Sequence, residues 1–248
     1  MRFATAFIVA ATLPLAAEAG QTVDYKVGGA AYEGYSAKAQ GASKGLVLII
    51  HDWDGLTEYE QKRADMLAAM GYDAFAVDLY GKGNRPVETG AKKVETGKLY
   101  NDRDKMRGLI LGGLAEARKI SDRPAVVMGY CFGGAATLEL ARSGKADRVA
   151  GYATFHGGLA TPEGQGYAKS TPPLLIAHGG ADTSITMDHV AALSKELEAA
   201  GVAYEIQVYS GAPHAFTVFG SDRYRKRADE QSWAAFREFL GTYLAGGG

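Results

Sequence analysis

The chain lacks several features that would announce large classes of function. It has one cysteine, Cys131, so it forms no internal disulfide. Its formal net charge is -1 and it carries no long run of Lys or Arg, which excludes the basic surface expected of a nucleic-acid partner or an anionic membrane. Beyond the N-terminus there is no apolar stretch of about 18 residues, so no membrane span is expected in the mature chain. The five histidines are His51, His156, His178, His189 and His214, and no pair has metal-ligand spacing with supporting carboxylates or cysteines. No metal site is therefore expected. What remains is ordinary for a globular protein, with 47% hydrophobic and 22% charged residues over a length that suits one domain.

The N-terminus is different in kind. Met1-Arg2 supplies a short positive region, residues 3–15 are almost uncharged and apolar, and Ala17-Glu18-Ala19 reads as a small-x-small cleavage site. This is the pattern of a secretory signal peptide over residues 1–19, cleaved before Gly20, and it implies a periplasmic or secreted protein. The mature domain then spans residues 20–248, with a disordered tail at 245–248. A lone thiol in an oxidising compartment is either a buried passenger or a reactive group. The motif around it has to decide.

From Gly45 onward short apolar runs alternate with amphipathic ones. Strands are expected at 46–50, 73–77, 124–128, 149–155, 174–177 and 204–208. Helices are expected after Thr57 up to Gly71, over 101–120 despite Gly108, Gly112 and Gly113, and at 133–142, 189–200 and 228–240. Residues 21–36 suggest an edge hairpin around Gly28-Gly29, and 81–97 a loop or lid. Repeated β-α-β order gives the fold class: α/β, three-layered, with a mainly parallel central sheet and helices on both faces.

The sharpest local signal is Gly129-Tyr130-Cys131-Phe132-Gly133-Gly134, which follows an apolar strand and opens onto a helix. That is the context of a nucleophile elbow, with cysteine in place of the more usual serine. The turn is tight, so its flanking residues have to be small. It also sets Cys131 at a helix N-terminus, where free N–H groups and the dipole are expected to favour a thiolate. The Phe132 N–H is the expected oxyanion donor.

Partners follow in the chain order of this motif, nucleophile, acid, histidine. Asp182 lies after the strand at 174–177 and His214 after the strand at 204–208. Both fall beyond strand C-termini, where open α/β sheets place their ligands. Of the other histidines, His51 and His178 are expected to brace loops, His189 to lie on a helix surface, and His156 has no assigned role.

Over residues 45–240 the chain resembles the dienelactone hydrolase family of α/β-hydrolases. The likeness rests on residues 48–56 (LIIHDWDGL), residues 71–80 (GYDAFAVDLY), the elbow, and the segments around His178 and His214. It implies hydrolysis of an ester or lactone through a thioester, with no cofactor, by Cys131, Asp182 and His214. It further implies that Asp52 stands where the family has a glutamate paired with the resting cysteine, one methylene shorter here. By the same correspondence Trp53 supplies the second oxyanion N–H. Lys82 matches one of two substrate-holding arginines, while Val218 stands at the other, which argues against dienelactone itself and toward a neutral small-molecule ester or lactone. Arg85 is a nearby cation that could compensate. The chain is expected to act as a monomer. Two other readings on the same fold are a noncatalytic binding protein and a redox-responsive thiol protein.

Overall fold

The apolar runs become strands because a β-strand turns alternate side chains to opposite faces, and these strands are covered on both. A computed structural model describes residues 19–244. The expected signal peptide, apart from Ala19, and the expected tail lie outside the described residues. The hairpin β1 (Gln21–Val27) and β2 (Ala30–Ala37) turns at Gly28-Gly29, both at positive φ. There follow β3 (Leu46–Ile50), α1 (Glu58–Ala69), β4 (Asp73–Val77), α2 (Thr89–Asn101), α3 (Arg103–Ala117) and β5 (Ala125–Tyr130). The chain then runs through α4 (Phe132–Ser143), β6 (Val149–Phe155), β7 (Leu174–Gly179), α5 (Met187–Ala200), β8 (Tyr204–Tyr209) and α6 (Lys226–Leu244).

The eight strands form one sheet in the order β1-β2-β4-β3-β5-β6-β7-β8, antiparallel at β1/β2 and β2/β4 and parallel elsewhere. Period-two alternation divides the core. Leu46, Leu48, Ile50, Phe75 and Val77 face α3 and α4, whereas Val47, Ile49, Ala74 and Ala76 face α1 and α6. In the parallel register Ile50 pairs with Gly129, Phe155 with Ala177 and Gly179 with Tyr209. The segments after β3, β5, β6, β7 and β8 therefore emerge on one edge of the sheet, and the candidate site is built there.

Three local outcomes differ from or sharpen the sequence reading. The expected loop at 81–97 ends early, because α2 begins at Thr89. Gly90, Gly97 and a largely exposed surface hide that helix from a periodicity argument, since only Leu99 is buried. Two of the three glycines of α3 are explained by packing: a Cβ on Gly112 would sit 2.5 Å from Val27 Cγ2 and one on Gly113 2.1 Å from Val77 Cγ2, whereas nothing crowds Gly108. Helix α1 starts with a capping box in which Thr57 and Glu60 satisfy one another's backbone donors.

Arg63 sits on the buried stripe of α1, only 1% exposed. Its guanidinium lies 4.2 Å from the Phe219 ring centroid and 5.0 Å from that of Trp233. It forms an ion pair with Asp229 and donates to the Thr217 carbonyl at 3.0 Å. Removing one partner of a buried pair leaves an uncompensated charge. Asp229→Ala is thus expected to lower unfolding free energy in urea by about 3–5 kcal/mol. A loss below about 1 kcal/mol would mean that water reaches the guanidinium.

Candidate active site

The elbow forms where β5 gives way to α4. Cys131 has φ 50° and ψ -111°, a strained backbone for a residue with a Cβ, and its N–H donates to the Phe155 carbonyl at 3.0 Å. The turn is close enough that a Cβ on Gly129 would lie 2.2 Å from the Gly133 carbonyl oxygen. On Gly133 it would lie 2.2 Å from that of Ile50. Glycine is required at both positions by contact with backbone, which cannot yield.

His214 and Asp182 meet this thiol in line. His214 Nε2 is 3.0 Å from Cys131 Sγ, and His214 Nδ1 is 2.8 Å from Asp182 Oδ2. Asp182 accepts two further bonds at Oδ1, from the N–H groups of Ser184 at 2.8 Å and Ile185 at 2.9 Å. Burial would raise its pKa, but the His214 bond and these amides outweigh burial and hold the carboxyl below the usual range. An ionised Asp182 accepts from Nδ1–H, which leaves Nε2 free to accept the thiol proton. The Ala181 N–H to Ala212 carbonyl bond, 2.9 Å, ties the two loops together.

The thiol itself departs from expectation. Burial pushes Cys131 well above the ordinary range, the charge of Asp52 adds to this, and the Phe132 N–H at the helix start only opposes it. The helix terminus is present, but desolvation and a neighbouring carboxylate win, so the resting group is a thiol. Asp52 is buried, and burial followed by the charge of Asp54 pushes it up to about 6. It hydrogen-bonds the Cys131 thiol and accepts from the Trp53 N–H. Trp53 N–H, the expected second oxyanion donor, is thus engaged by Asp52 in the resting state.

Glu60 was not singled out in the sequence. Its Oε1 accepts from the Asp52 N–H at 3.2 Å, its Oε2 from Thr57, and burial pushes it up to about 8. The Thr57-x-x-Glu60 spacing is the signal that could have found it. His51 braces loops as expected: Leu79 N–H donates to Nε2 at 3.1 Å, and Nδ1 donates to the Asp52 carbonyl at 2.6 Å. His178 is buried beside Asp182. His189 lies half-buried on α5, as expected of a helix-surface residue, and its Nδ1 also accepts from the Thr186 N–H at 3.0 Å and caps the helix.

The expected substrate cation is engaged by another group. Lys82 is exposed and forms an ion pair with Asp24 on β1, and its N–H donates to the Ala31 carbonyl at 3.1 Å, which ties this part of the loop to the hairpin. Arg85 is likewise committed, donating to the carbonyls of Leu56, Gly81 and Asn84. The nearer cation is Lys92 on α2, 5.2 Å from the Trp53 ring centroid and 3.5 Å from Asp54. Tyr100, also on α2, packs edge-on to Phe132 at 5.4 Å, and Tyr80 donates to the Trp53 carbonyl at 3.0 Å. An aromatic rim therefore flanks the thiol. Among the described residues no group of His, Cys, Asp and Glu could hold a metal ion, and no helix is long and apolar enough to cross a membrane.

Known proteins similar to this chain share its fold class. The model of the dienelactone hydrolase family matches residues 32–244. A protein of Aquifex aeolicus (strain VF5), provisionally named a carboxymethylenebutenolidase, is 26% identical over 233 residues, covering 91% of this chain and 99% of the relative. A Bradyrhizobium sp. protein, provisionally named a 2-oxo-3-(5-oxofuran-2-ylidene)propanoate lactonase, is 26% identical and covers 81% of this chain and 84% of the relative. Among solved structures, a dienelactone hydrolase-like promiscuous phosphotriesterase from metagenomic libraries is similar at TM-score 0.80 and 25% identity. It covers 90% of this chain and 98% of its own.

The electrostatics of the thiol yield a prediction. Asp52→Asn removes the charge that most assists burial in raising Cys131, so the thiolate fraction near neutral pH rises. Alkylation of Cys131 by iodoacetamide is expected to quicken in the folded variant. Slower alkylation would show that Asp52 acts on the thiol mainly as a base.

Proposed function

Because the chain belongs to the dienelactone hydrolase family, we propose that it hydrolyses a carboxylic ester or lactone through a thioester on Cys131. The observation that carries this reading is the unbroken line from Sγ through His214 to Asp182, with contacts of 3.0 and 2.8 Å. His214 takes the thiol proton as Sγ attacks the carbonyl carbon, and the carbonyl electron pair moves onto oxygen. Phe132 N–H faces that oxygen. Trp53 N–H joins it once the Asp52 carboxylate turns away. The oxyanion collapses, the C–O bond to the alcohol breaks, and the leaving oxygen takes the proton from His214. Water, deprotonated by His214, then attacks the thioester and returns the thiol.

The surroundings favour a neutral substrate. Asp52 and Asp54 flank the thiol, Lys92 is engaged by Asp54 and Lys82 by Asp24, and Val218 offers no charge. An anionic lactone would meet no uncommitted cation among these groups. The redox reading asks for a low-pKa thiol, whereas burial and Asp52 push Cys131 upward. The binding-protein reading predicts no Cys131-dependent turnover.

We also propose export with cleavage before Gly20. The Gly20 N–H donates to Asp65 Oδ1 at 2.9 Å, and Tyr35 donates to the same carboxylate at 3.0 Å. A new α-ammonium at Gly20 would fall on that carboxylate. Intact-mass measurement of the exported protein is expected to give the chain beginning at Gly20, and retention of residues 1–19 would overturn this.

The catalytic reading is tested with p-nitrophenyl butyrate. Cys131→Ala and His214→Ala are each expected to lower kcat/KM by about 10³ or more with folding intact. Unchanged turnover in Cys131→Ala would overturn the mechanism.

A further inference from the structure

His156 ends β6 one residue after Phe155, has φ 42°, and is completely buried. Its N–H is fixed by the Ala177 carbonyl at 2.8 Å. The ring packs edge-on against His214, with centroids 5.4 Å apart and an interplanar angle of 67°. On its other sides are Phe216 at 5.5 Å and Tyr130 at 5.9 Å. Its Nε2 is 2.8 Å from Thr217 Oγ1, three residues along the loop from His214. That hydroxyl also meets the Tyr59 hydroxyl at 2.6 Å, and the Thr217 carbonyl accepts from buried Arg63. Burial first, then His214 and Arg63, push His156 well below the ordinary imidazole range, with Asp182 opposing, so the ring is neutral.

A buried polar ring at a strained backbone is costly to keep. Its two directed contacts reach the His214 ring and the loop that carries it. The geometry points to His156 as a positioning residue that, with Thr217, holds the His214 ring at the angle from which Nε2 meets Cys131 Sγ. Tyr59 and Arg63 anchor that hydroxyl and carbonyl from α1, so the histidine loop is pinned to a helix rather than left to its own turn. Misplacement of a reacting group by about 1 Å can cost roughly 10² in rate, which sets the scale of the effect.

The inference rests on the reading of His214 as the base for Cys131. It is tested with His156→Asn, which tolerates positive φ but loses the ring, and Thr217→Val, which loses only the hydroxyl. Thr217→Ser is the conservative control, and the double variant tests whether the two residues act as one unit. The expected result is a kcat for p-nitrophenyl butyrate about 10- to 100-fold lower in each single variant, with KM within about twofold. The double variant should be no slower than the slower single one, and Thr217→Ser near wild type. If either residue cannot be replaced without unfolding, the other variant carries the test. Folded variants with wild-type kcat, or losses that multiply in the double variant, would overturn the proposal. The rate of Cys131 alkylation by iodoacetamide is read in parallel and needs no substrate. Turnover that persists unchanged in Cys131→Ala sinks the proposed mechanism instead. Unchanged alkylation in His156→Asn and Thr217→Val sinks the positioning role.

Discussion

Everything at this site depends on how closely β3 and β5 approach at their C-terminal ends. Parallel pairing brings Ile50 level with Gly129, and the first turn of α4 then passes over the Ile50 carbonyl with room only for hydrogen at Gly133. That contact bends the chain at Cys131 and leaves its side chain at the crest of the turn. The same proximity sets Asp52 and Trp53, which continue from β3, beside the thiol. The Phe132 and Trp53 N–H groups, the thiol and the Asp52 carboxylate share one origin in the packing of two strands and a helix, so no long loop is needed to assemble them.

The electrostatics of the site run against a simple account of cysteine activation. A helix N-terminus stabilises a thiolate by a modest amount, of order 1 kcal/mol at exposed positions. Burial and the Asp52 carboxylate both act in the opposite sense on Cys131. Asp52 is itself raised by burial and by Asp54, and Glu60 behind it is raised further. The resting site thus holds acidic groups with more proton affinity than they have in water. Under the proposed mechanism such a thiol needs His214 to take its proton as substrate is attacked, because the resting surroundings hold that proton on sulfur.

Much of this was legible in the sequence. The strands were visible because a fully covered strand is apolar at every position, and the elbow because its glycines are spaced by a backbone requirement. The order of Cys131, Asp182 and His214 follows from where parallel strands end. Other features could not be read in one dimension. Helix α2 buries little and therefore shows no stripe, so a loop or lid was expected where a helix begins. Lys82 was placed at the substrate by correspondence, but the charge that claims it is Asp24, 58 residues earlier on the edge hairpin. The thiolate expectation failed because helix polarity is a local property, while desolvation is set by what the whole fold lays over the thiol. His156 had no local motif; its meaning comes from lying across from Thr217.

Backbone strain offers a last independent view of the same site. Four residues other than glycine have positive φ among those described: Cys131, Arg148, His156 and Ala215. Three of them lie within the candidate site: Cys131, the ring packed on His214, and the residue that follows His214. Each such conformation costs of order 1–3 kcal/mol and persists only where surrounding contacts over-determine it. Here those contacts are identifiable: the Phe155 carbonyl holds Cys131 and the Ala177 carbonyl holds His156, while the bond from the Val218 N–H closes the turn over the Ala215 carbonyl. Strain gathered on the ends of β5 and β6 and on the histidine loop, and supported strand by strand, is the signature of a preorganised site. A merely stable fold would have no reason to concentrate it there, which is why the strained backbone argues for chemistry at Cys131 independently of the side chains it carries.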